Sequence, residues 1–186
     1  MKDGAAVRSQ VLDAAEQLFY GRGIQTVGMD DIRGASGVSL KRLYQLFPAK
    51  EQLVEAYLER RDIVWRRRLA DRVDRESGPR ERVLAVFDHL HAWFGEPGFR
   101  GCAWINSYGE LGATSARVAA QARTHKTAFL RYLEGLVSDA GLPLSTAGQL
   151  LLLAEGAMVT AGIFGTPEPA LRAREAAALL MGAADR

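Results

Sequence analysis

The feature that most constrains the fold is the stretch of residues 29–53, which has the pattern of two short helices with a tight break between them. In the first helix, Met29, Ile32 and Ala35 share one face at helical spacing. Gly37 then interrupts the pattern, as a C-cap or turn glycine does. A chain with this pattern is expected to turn sharply within a few residues and to start a second helix at once.

The second helix follows Ser39, whose hydroxyl can cap it by accepting an orphan backbone N–H. We expect Leu40, Leu43 and Phe47 to form its buried stripe. The side chains left on its outer faces are basic or hydrogen-bonding: Lys41, Arg42, Tyr44 and Gln45. Two helices joined by a glycine turn, the second with such an outer face, predict a helix-turn-helix motif.

The charge pattern favours a double-stranded DNA partner at this face. Residues 34–50 contain three basic residues and no acidic one, whereas the whole chain has a formal net charge of only +2. Because DNA is a dense line of negative charge, a local basic face must supply the attraction. The candidates for phosphate contact are Ser39, Lys41, Tyr44 and Lys50. The candidates for base contact are Leu40, Arg42 and Gln45.

The same residues resemble the signature of the TetR family of transcriptional regulators. The resemblance rests on Gly37-Val38-Ser39, Leu43-Tyr44, Phe47, Lys50-Glu51, Leu53 and, upstream, Val11-Leu12, Ala14-Ala15, Leu18-Phe19, Gly21 and Gly23. It is strongest over the first third of the chain. It implies a DNA-binding head, a helical effector domain that binds a small molecule, and a two-fold homodimer.

Some positions depart from the common family pattern. A Thr-Ser or Thr-Thr pair often precedes the second helix, whereas this chain has Val27-Gly28 there and Thr26 one step earlier. By resemblance, Thr26 and Gly28 are still candidates for DNA contact. Arg33 replaces a usual alanine and is either an added phosphate contact or a solvated side chain. Leu46 stands where His or Tyr is frequent, which removes one side-chain donor to phosphate.

Helical periodicity continues beyond the motif, and no stretch has the pattern of a strand. Residues 1–5 are expected to be a loose tail, and the first helix to run from about Ala6 to Gly21. The sequence therefore predicts an all-α protein of about nine helices. We expect a DNA-binding domain at residues 1–48 and a ligand-binding and dimerisation domain at residues 49–186.

Aromatic residues and isolated polar residues concentrate in the middle of the chain. This composition is typical of small-molecule sites, although an aromatic stripe at helical spacing is also typical of plain core. The family resemblance favours a pocket for an unidentified small-molecule effector, with a weak indication that it is hydrophobic or aromatic. The candidate ligand-binding residues are Phe87, Trp93, Trp104, Asn106, Tyr108, His125 and Phe129.

The helix predicted over residues 145–164 is apolar nearly all round. A small domain can bury all faces of such a helix only with help from a partner. By resemblance, the last two helices of two copies pack as a four-helix bundle. The residues expected in this dimer interface are Val159, Ile163, Leu179 and Leu180.

The sequence gives little support for catalysis or metal binding. His89 and His91 are two residues apart, so on a helix they point in different directions and cannot chelate one metal. Cys102 and His125 lack an orienting third group, and Cys102 is expected to be a buried cysteine rather than a redox sensor. We therefore predict that the protein is not an enzyme and uses no metal and no cofactor.

Several features favour a cytoplasmic location. The first ten residues have no apolar core, so no signal peptide is expected. A single cysteine fits a reducing compartment. The apolar run from Gln149 to Phe164 is broken by Glu155 and is expected to be too short to span a bilayer, so no membrane partner is predicted.

The basic run at residues 60–68 has two readings. Its five arginines suggest a second DNA contact. Acidic residues interleave with them before and after, which favours a solvated, charge-laced face.

Together these patterns predict a sequence-specific DNA-binding regulator. The family resemblance implies that it acts as a homodimeric repressor, which a small hydrophobic ligand releases from a palindromic operator. Two other classes stay open. One is a helix-turn-helix protein without an effector, which a dry, tightly packed effector core would favour. The other is a helical ligand-binding protein that no longer binds DNA, which the Val27-Gly28 and Leu46 departures would support.

Overall fold

A computed structural model of the protein describes residues 4–183. Over that range the chain forms nine α-helices and no strand, which confirms the predicted fold class. The helices are α1 Gly4–Arg22, α2 Met29–Ser36, α3 Leu40–Leu46, α4 Lys50–Val73, α5 Pro79–Phe94, α6 Ala103–Leu111, α7 Ala116–Asp139, α8 Ser145–Phe164 and α9 Glu168–Ala183.

The described residues form two compact units. The first contains the described part of Met1–Asp62 together with Ala103–Ala122. The second contains Ile63–Cys102 and the described part of Arg123–Arg186. The division of DNA-binding and ligand-binding roles between residues 1–48 and 49–186 remains a prediction.

In the first unit, α1 packs against α2, and α2 packs against α3. The buried face of α1 includes Val11 and Ala15, both fully buried. The helix begins at Gly4, so the expected loose tail is wrong for Gly4 and Ala5; residues 1–3 lie outside the described range. Helix formation there is favoured because Ala5 and Ala6 are strong helix formers.

Helix α2 spans the predicted residues, and α3 ends at Leu46, just before Phe47 of its predicted stripe. The expected burial of Leu40 is wrong. Leu40 is 38% exposed and Ala35 is also exposed. The buried neighbours of the motif core are instead Ser36, at the end of α2, and Val38, in the turn. Since the turn itself fills the core position ahead of Leu43, Leu40 is left on the outer face of α3.

In the second unit, α9 packs against both α5 and α8, and α5 also contacts α8. Asp88 of α5 links this group to α4: its carboxylate lies 3.2 Å from Arg72 Nη2 and 2.7 Å from Arg174 Nε. All three side chains are partly shielded from solvent. Such a shared carboxylate fixes the register of three helices as well as contributing charge-assisted hydrogen bonds.

Helix α8 has the predicted bounds and begins before the apolar run that starts at Gln149. It has 20 residues and, by length and composition alone, could cross a membrane, so the expectation that this segment is too short is wrong. The reason is that the helix begins at Ser145, four residues before the apolar run. The core helix of a soluble protein meets the same criterion, and seven residues of α8 are buried in the described fold.

Candidate nucleic-acid interface and effector region

The turn between α2 and α3 is fixed by two backbone-directed contacts. Gly37 has φ 65°, in the left-handed region that side chains disfavour, and its N–H donates to the Arg33 carbonyl over 2.9 Å. Ser39 then caps α3, because its Oγ accepts the Arg42 N–H at 3.3 Å. These contacts set the direction in which α3 leaves the turn.

The start of α2 is stabilised by acidic side chains. The Asp31 carboxylate accepts the Gly28 N–H at 2.8 Å and lies 3.6 Å from Arg22 Nη1. Asp30 pairs with Arg33 at 3.2 Å, with both side chains well exposed. Exposed pairs of this kind contribute little to stability, so Arg33 can exchange its partner for a phosphate at small cost. Both readings of Arg33 therefore stay open.

The outer face of α3 carries the DNA-binding candidates into solvent. Tyr44 is 45% exposed, and Lys50 at the start of α4 is half-buried. Arg42 Nη1 donates to Gln45 Oε1 at 3.3 Å, so two of the three candidates for base contact are hydrogen-bonded to each other. The exposed side chains of this face are Ser39, Leu40, Lys41, Arg42, Tyr44 and Gln45.

The loop before α2 holds the two remaining candidates. The Thr26 hydroxyl donates to the Arg22 carbonyl at 2.8 Å and so helps to close the end of α1. Gly28 is exposed at the N-cap of α2 and has no side chain to offer. Because a phosphate oxygen only accepts, the Thr26 hydroxyl would have to redirect its proton to bind one, whereas backbone N–H groups are strong phosphate donors. DNA contact by Thr26 and Gly28 stays a prediction.

The sequence does not predict two further contacts, one that holds this loop and one at the residue that follows α3. Gln25 N–H donates to Glu110 Oε2 at 2.8 Å, and Gln25 Nε2 donates to the Glu110 carbonyl at 2.5 Å. The Arg8 guanidinium lies over the Phe47 ring, 5.1 Å from its centroid. The residues of the first pair are 85 positions apart, and no local pattern signals such a contact.

The ligand-binding candidates divide between the two units. Trp104, Asn106 and Tyr108 belong to the first, where Trp104 is buried and the other two are exposed. The other four belong to the second and are all buried: Phe87, Trp93, His125 and Phe129. Their roles in ligand binding remain a prediction.

Trp65 is the centre of the aromatic cluster in the second unit. Its ring centroid lies 5.2 Å from both His125 and Phe129, and 5.9 Å from Trp93, all edge-to-face. His89 is a fourth edge-to-face neighbour at 6.1 Å. The helical spacing of Trp65 with Leu58 and Leu69 indicates that Trp65 is buried, but it does not indicate this central position.

Two titratable groups of the second unit are strongly perturbed. Burial lowers the pKa of His89 to about 4, with further lowering by the positive charges of Arg68 and Arg72 and an opposing effect of Glu96. Burial also raises the pKa of Tyr132 to about 12. Both groups are therefore neutral at pH 7.

Cys102 is buried, as predicted, with 2% of its surface exposed. Lys126 Nζ lies 3.3 Å from its sulfur and 2.5 Å from Glu155 Oε2. Lys126 is thus held by a carboxylate beside the thiol. Among residues 4–183, no group of three or more His, Cys, Asp or Glu side chains is arranged to hold a metal ion.

The residues predicted in the dimer interface are apolar and mostly exposed. Ile163 is 74% exposed and Leu179 is 76% exposed, while Val159 is 41% exposed and Leu180 is half-buried. Leu152 and Phe164 of α8 extend the same kind of surface. Large apolar side chains with this exposure are typical of interaction sites.

A glycine-turned pair of helices with a basic, hydrogen-bonding outer face defines the class of helix-turn-helix proteins. Comparison with known protein families gives the same class. The family model for bacterial regulatory proteins of the tetR family matches residues 11–57, which cover α1 to the first part of α4. The chain belongs to the TetR family of transcriptional regulators.

Individual relatives extend the likeness. The HTH-type transcriptional activator FasR of Mycolicibacterium smegmatis is 34% identical over 140 residues, which are 73% of this chain and 61% of that protein. The HTH-type transcriptional regulator TtgR of Pseudomonas putida is 33% identical over 94 residues, 48% of this chain and 45% of that protein. The chain thus spans between about half and three fifths of the length of these relatives.

The fold matches over almost the full chain. A TetR-family transcriptional regulator from Streptomyces coelicolor superposes with a TM-score of 0.89 at 26% identity, covering 98% of this chain and 97% of that structure. The proteins of this family are regulators, not enzymes, which agrees with the prediction that the protein is not an enzyme.

Proposed function

We propose that the protein is a sequence-specific, DNA-binding transcriptional regulator that works as a cytoplasmic homodimer. The observation that carries the proposal is the outer face of α3, where Lys41, Arg42, Tyr44 and Gln45 are all exposed. No acidic residue occurs over residues 34–50. A solvated helix with this chemistry suits the major groove, where arginine pairs with guanine and glutamine with adenine.

In this arrangement the side chains divide by role. Ser39, Lys41, Tyr44 and Lys50 contact phosphates and set the position of the head on the duplex. Leu40, Arg42 and Gln45 read base edges. On binding, Arg42 and Gln45 exchange their mutual hydrogen bond for bonds to bases, which are charge-assisted or bidentate and therefore stronger.

Arg42→Ala should weaken binding to the specific operator by about 1–3 kcal/mol and relax sequence preference, because a base contact is lost. Lys41→Ala is the matched control on the adjacent residue. It should weaken specific and random DNA about equally and reduce the salt dependence of binding. Fluorescence anisotropy with both DNAs over a salt series measures these effects. An equal loss on both DNAs for Arg42→Ala would remove it from the base-reading set.

The exposed apolar surface of α8 and α9 supports a homodimer. Ile163 and Leu179 are each about three-quarters exposed in the single chain, which is unfavourable for large apolar side chains in water. Pairing α8 and α9 with their copies would cover them, and a two-fold dimer contains two copies of α3. Two such helices suit half-sites about 34–36 Å apart or a wider multiple.

The aromatic cluster around Trp65 supports binding of a small, largely hydrophobic effector. Four rings meet Trp65 edge-to-face, and a cleft of about 480 Å³ adjoins it. Pockets of this size and composition hold small molecules. The dimer can hold its two DNA-binding heads at a spacing that fits the operator or at one that does not. An effector that binds one of these two states more tightly shifts the equilibrium between them, and the change in DNA affinity is set by its difference in affinity for the two states.

We propose repression released by the effector as the direction of control. A second direction, activation, is favoured by the name of the Mycolicibacterium relative, which is called an activator. Transcription in vitro from a promoter that contains the selected operator separates them. Repression predicts fewer transcripts when the protein is added, and activation predicts more.

A further inference from the structure

A cleft of about 480 Å³ opens between α4 and α7 within the second unit. Its floor is apolar: Trp65 and Leu69 come from α4, and Phe129 comes from α7. These three side chains are between 0 and 5% exposed. The floor therefore suits a flat aromatic ring or an acyl chain, which gains by leaving water.

The rim of the cleft is cationic. Arg66 and Arg67 of α4 and Arg131 of α7 line it, and none of the described residues that line it is acidic. Arg67 has a distant, exposed neighbour in Asp71 at 3.9 Å, a geometry that leaves its guanidinium mostly solvated. Three guanidinium groups around an apolar floor attract an anion, and guanidinium matches a carboxylate bidentately.

Two lining side chains carry buried donors that lack an acceptor. Neither Trp65 Nε1 nor Tyr132 Oη has a hydrogen-bond partner, and both atoms are shielded from solvent. Buried donors are almost always paired in folded proteins, and an unpaired one is unfavourable. A bound molecule that places an oxygen near one of them would remove this penalty.

We infer that this cleft binds a small carboxylate with an aromatic or aliphatic body, the body on Trp65 and Phe129 and the carboxylate toward Arg67 and Arg131. This assignment rests on the proposed function, since it gives the effector a chemical class. It also gives Arg66 and Arg67 of the basic run a role that is neither DNA contact nor simple solvation. The anion replaces solvent between two helices that carry like charges.

The test uses two probes, 2-naphthoate and decanoate, each compared with its neutral amide. Isothermal titration calorimetry with the full-length protein, in the absence of DNA, measures the affinities. At least one carboxylate should bind roughly tenfold more tightly than its amide, as expected for a few partly exposed charge pairs. Added salt should reduce the preference, because it screens rim charges.

The double variant Arg67→Ala/Arg131→Ala should bind the carboxylate and the amide about equally. Arg123→Ala is the matched control, because Arg123 is an exposed arginine of α7 that does not line the cleft. It should keep the preference. Near-ultraviolet circular dichroism on each variant checks that the aromatic cluster is intact.

The inference is overturned if neither carboxylate binds the wild-type protein, if each binds no more tightly than its amide, or if the double variant keeps the preference. Because the titration contains no DNA, its result is independent of operator binding. If the carboxylates do not bind but the protein still binds its operator, the carboxylate site is ruled out and the proposed function stands. If a carboxylate binds but the protein binds no specific DNA, the proposed function is ruled out and the carboxylate site stands.

Discussion

Leu43→Ala should lower the free energy of unfolding of the first unit by about 2–5 kcal/mol, as large-to-small substitutions in a core do. Leu43 is fully buried and is the side chain through which α3 is anchored, since Leu40 faces outward and α3 has only seven residues. The loss should be large enough to populate an unfolded α3 and to abolish operator binding. Hydrogen exchange of the α3 amides, together with anisotropy on operator DNA, measures both effects.

Tyr44→Ala is the matched control, one residue along the same helix. Its side chain is 45% exposed, so the stability change should stay within about 0.5 kcal/mol while DNA affinity falls. The two variants separate the buried residue that holds α3 in place from the exposed residue that contacts DNA. If Leu43→Ala leaves the exchange of α3 unchanged, or if Tyr44→Ala destabilises as much, the assignment of the two faces of α3 is incorrect.

Stability should fall by about 3 kcal/mol between pH 6.5 and pH 4 through His89 alone. The pKa of His89 in the folded protein is about 4, below its ordinary value of 6.5, because the imidazole is buried among aromatic rings and near Arg68. In that window the unfolded chain binds a proton that the folded protein excludes. The contribution is therefore complete above pH 6.5, decreases as the pH falls and levels off below about pH 4.

The measurement is urea denaturation at several pH values for the wild type and for His89→Gln, which removes the titrating group. The difference between the two stability curves should slope upward with pH between 4 and 6.5. His91→Gln, on the same helix, controls for loss of an imidazole from α5. A difference curve that is flat for His89→Gln would show that the ring is protonated equally in both states.

The helix-turn-helix was predictable because its signals are local. Gly37 supplies the left-handed turn and Ser39 supplies the cap, and both lie within a few residues of the groups that they satisfy. The ends of α2 and α8 follow from the same kind of signal, since Gly37 and Gly165 both adopt the left-handed conformation. Leu40 was misplaced because helical spacing gives a stripe but not its limits, and the turn residue Val38 filled the core position.

The candidate effector site could be predicted only in outline. Aromatic composition pointed to the middle of the chain, but the central ring, Trp65, lies in a helix whose basic residues dominate its pattern. The contact of Gln25 with Glu110 depends on packing between segments 85 residues apart. Spacing rules describe one helix at a time, so contacts between helices that are distant in sequence stay outside their reach.

Selection from fragmented genomic DNA tests specific DNA binding by α3 most directly. Purified protein captures fragments at low salt, and the bound pool is sequenced. We expect an enriched inverted repeat, with half-sites one helical turn or a wider multiple apart, whose enrichment is lost for Arg42→Ala. Well-folded protein that enriches no sequence at low salt, with or without the carboxylate probes, would contradict the account.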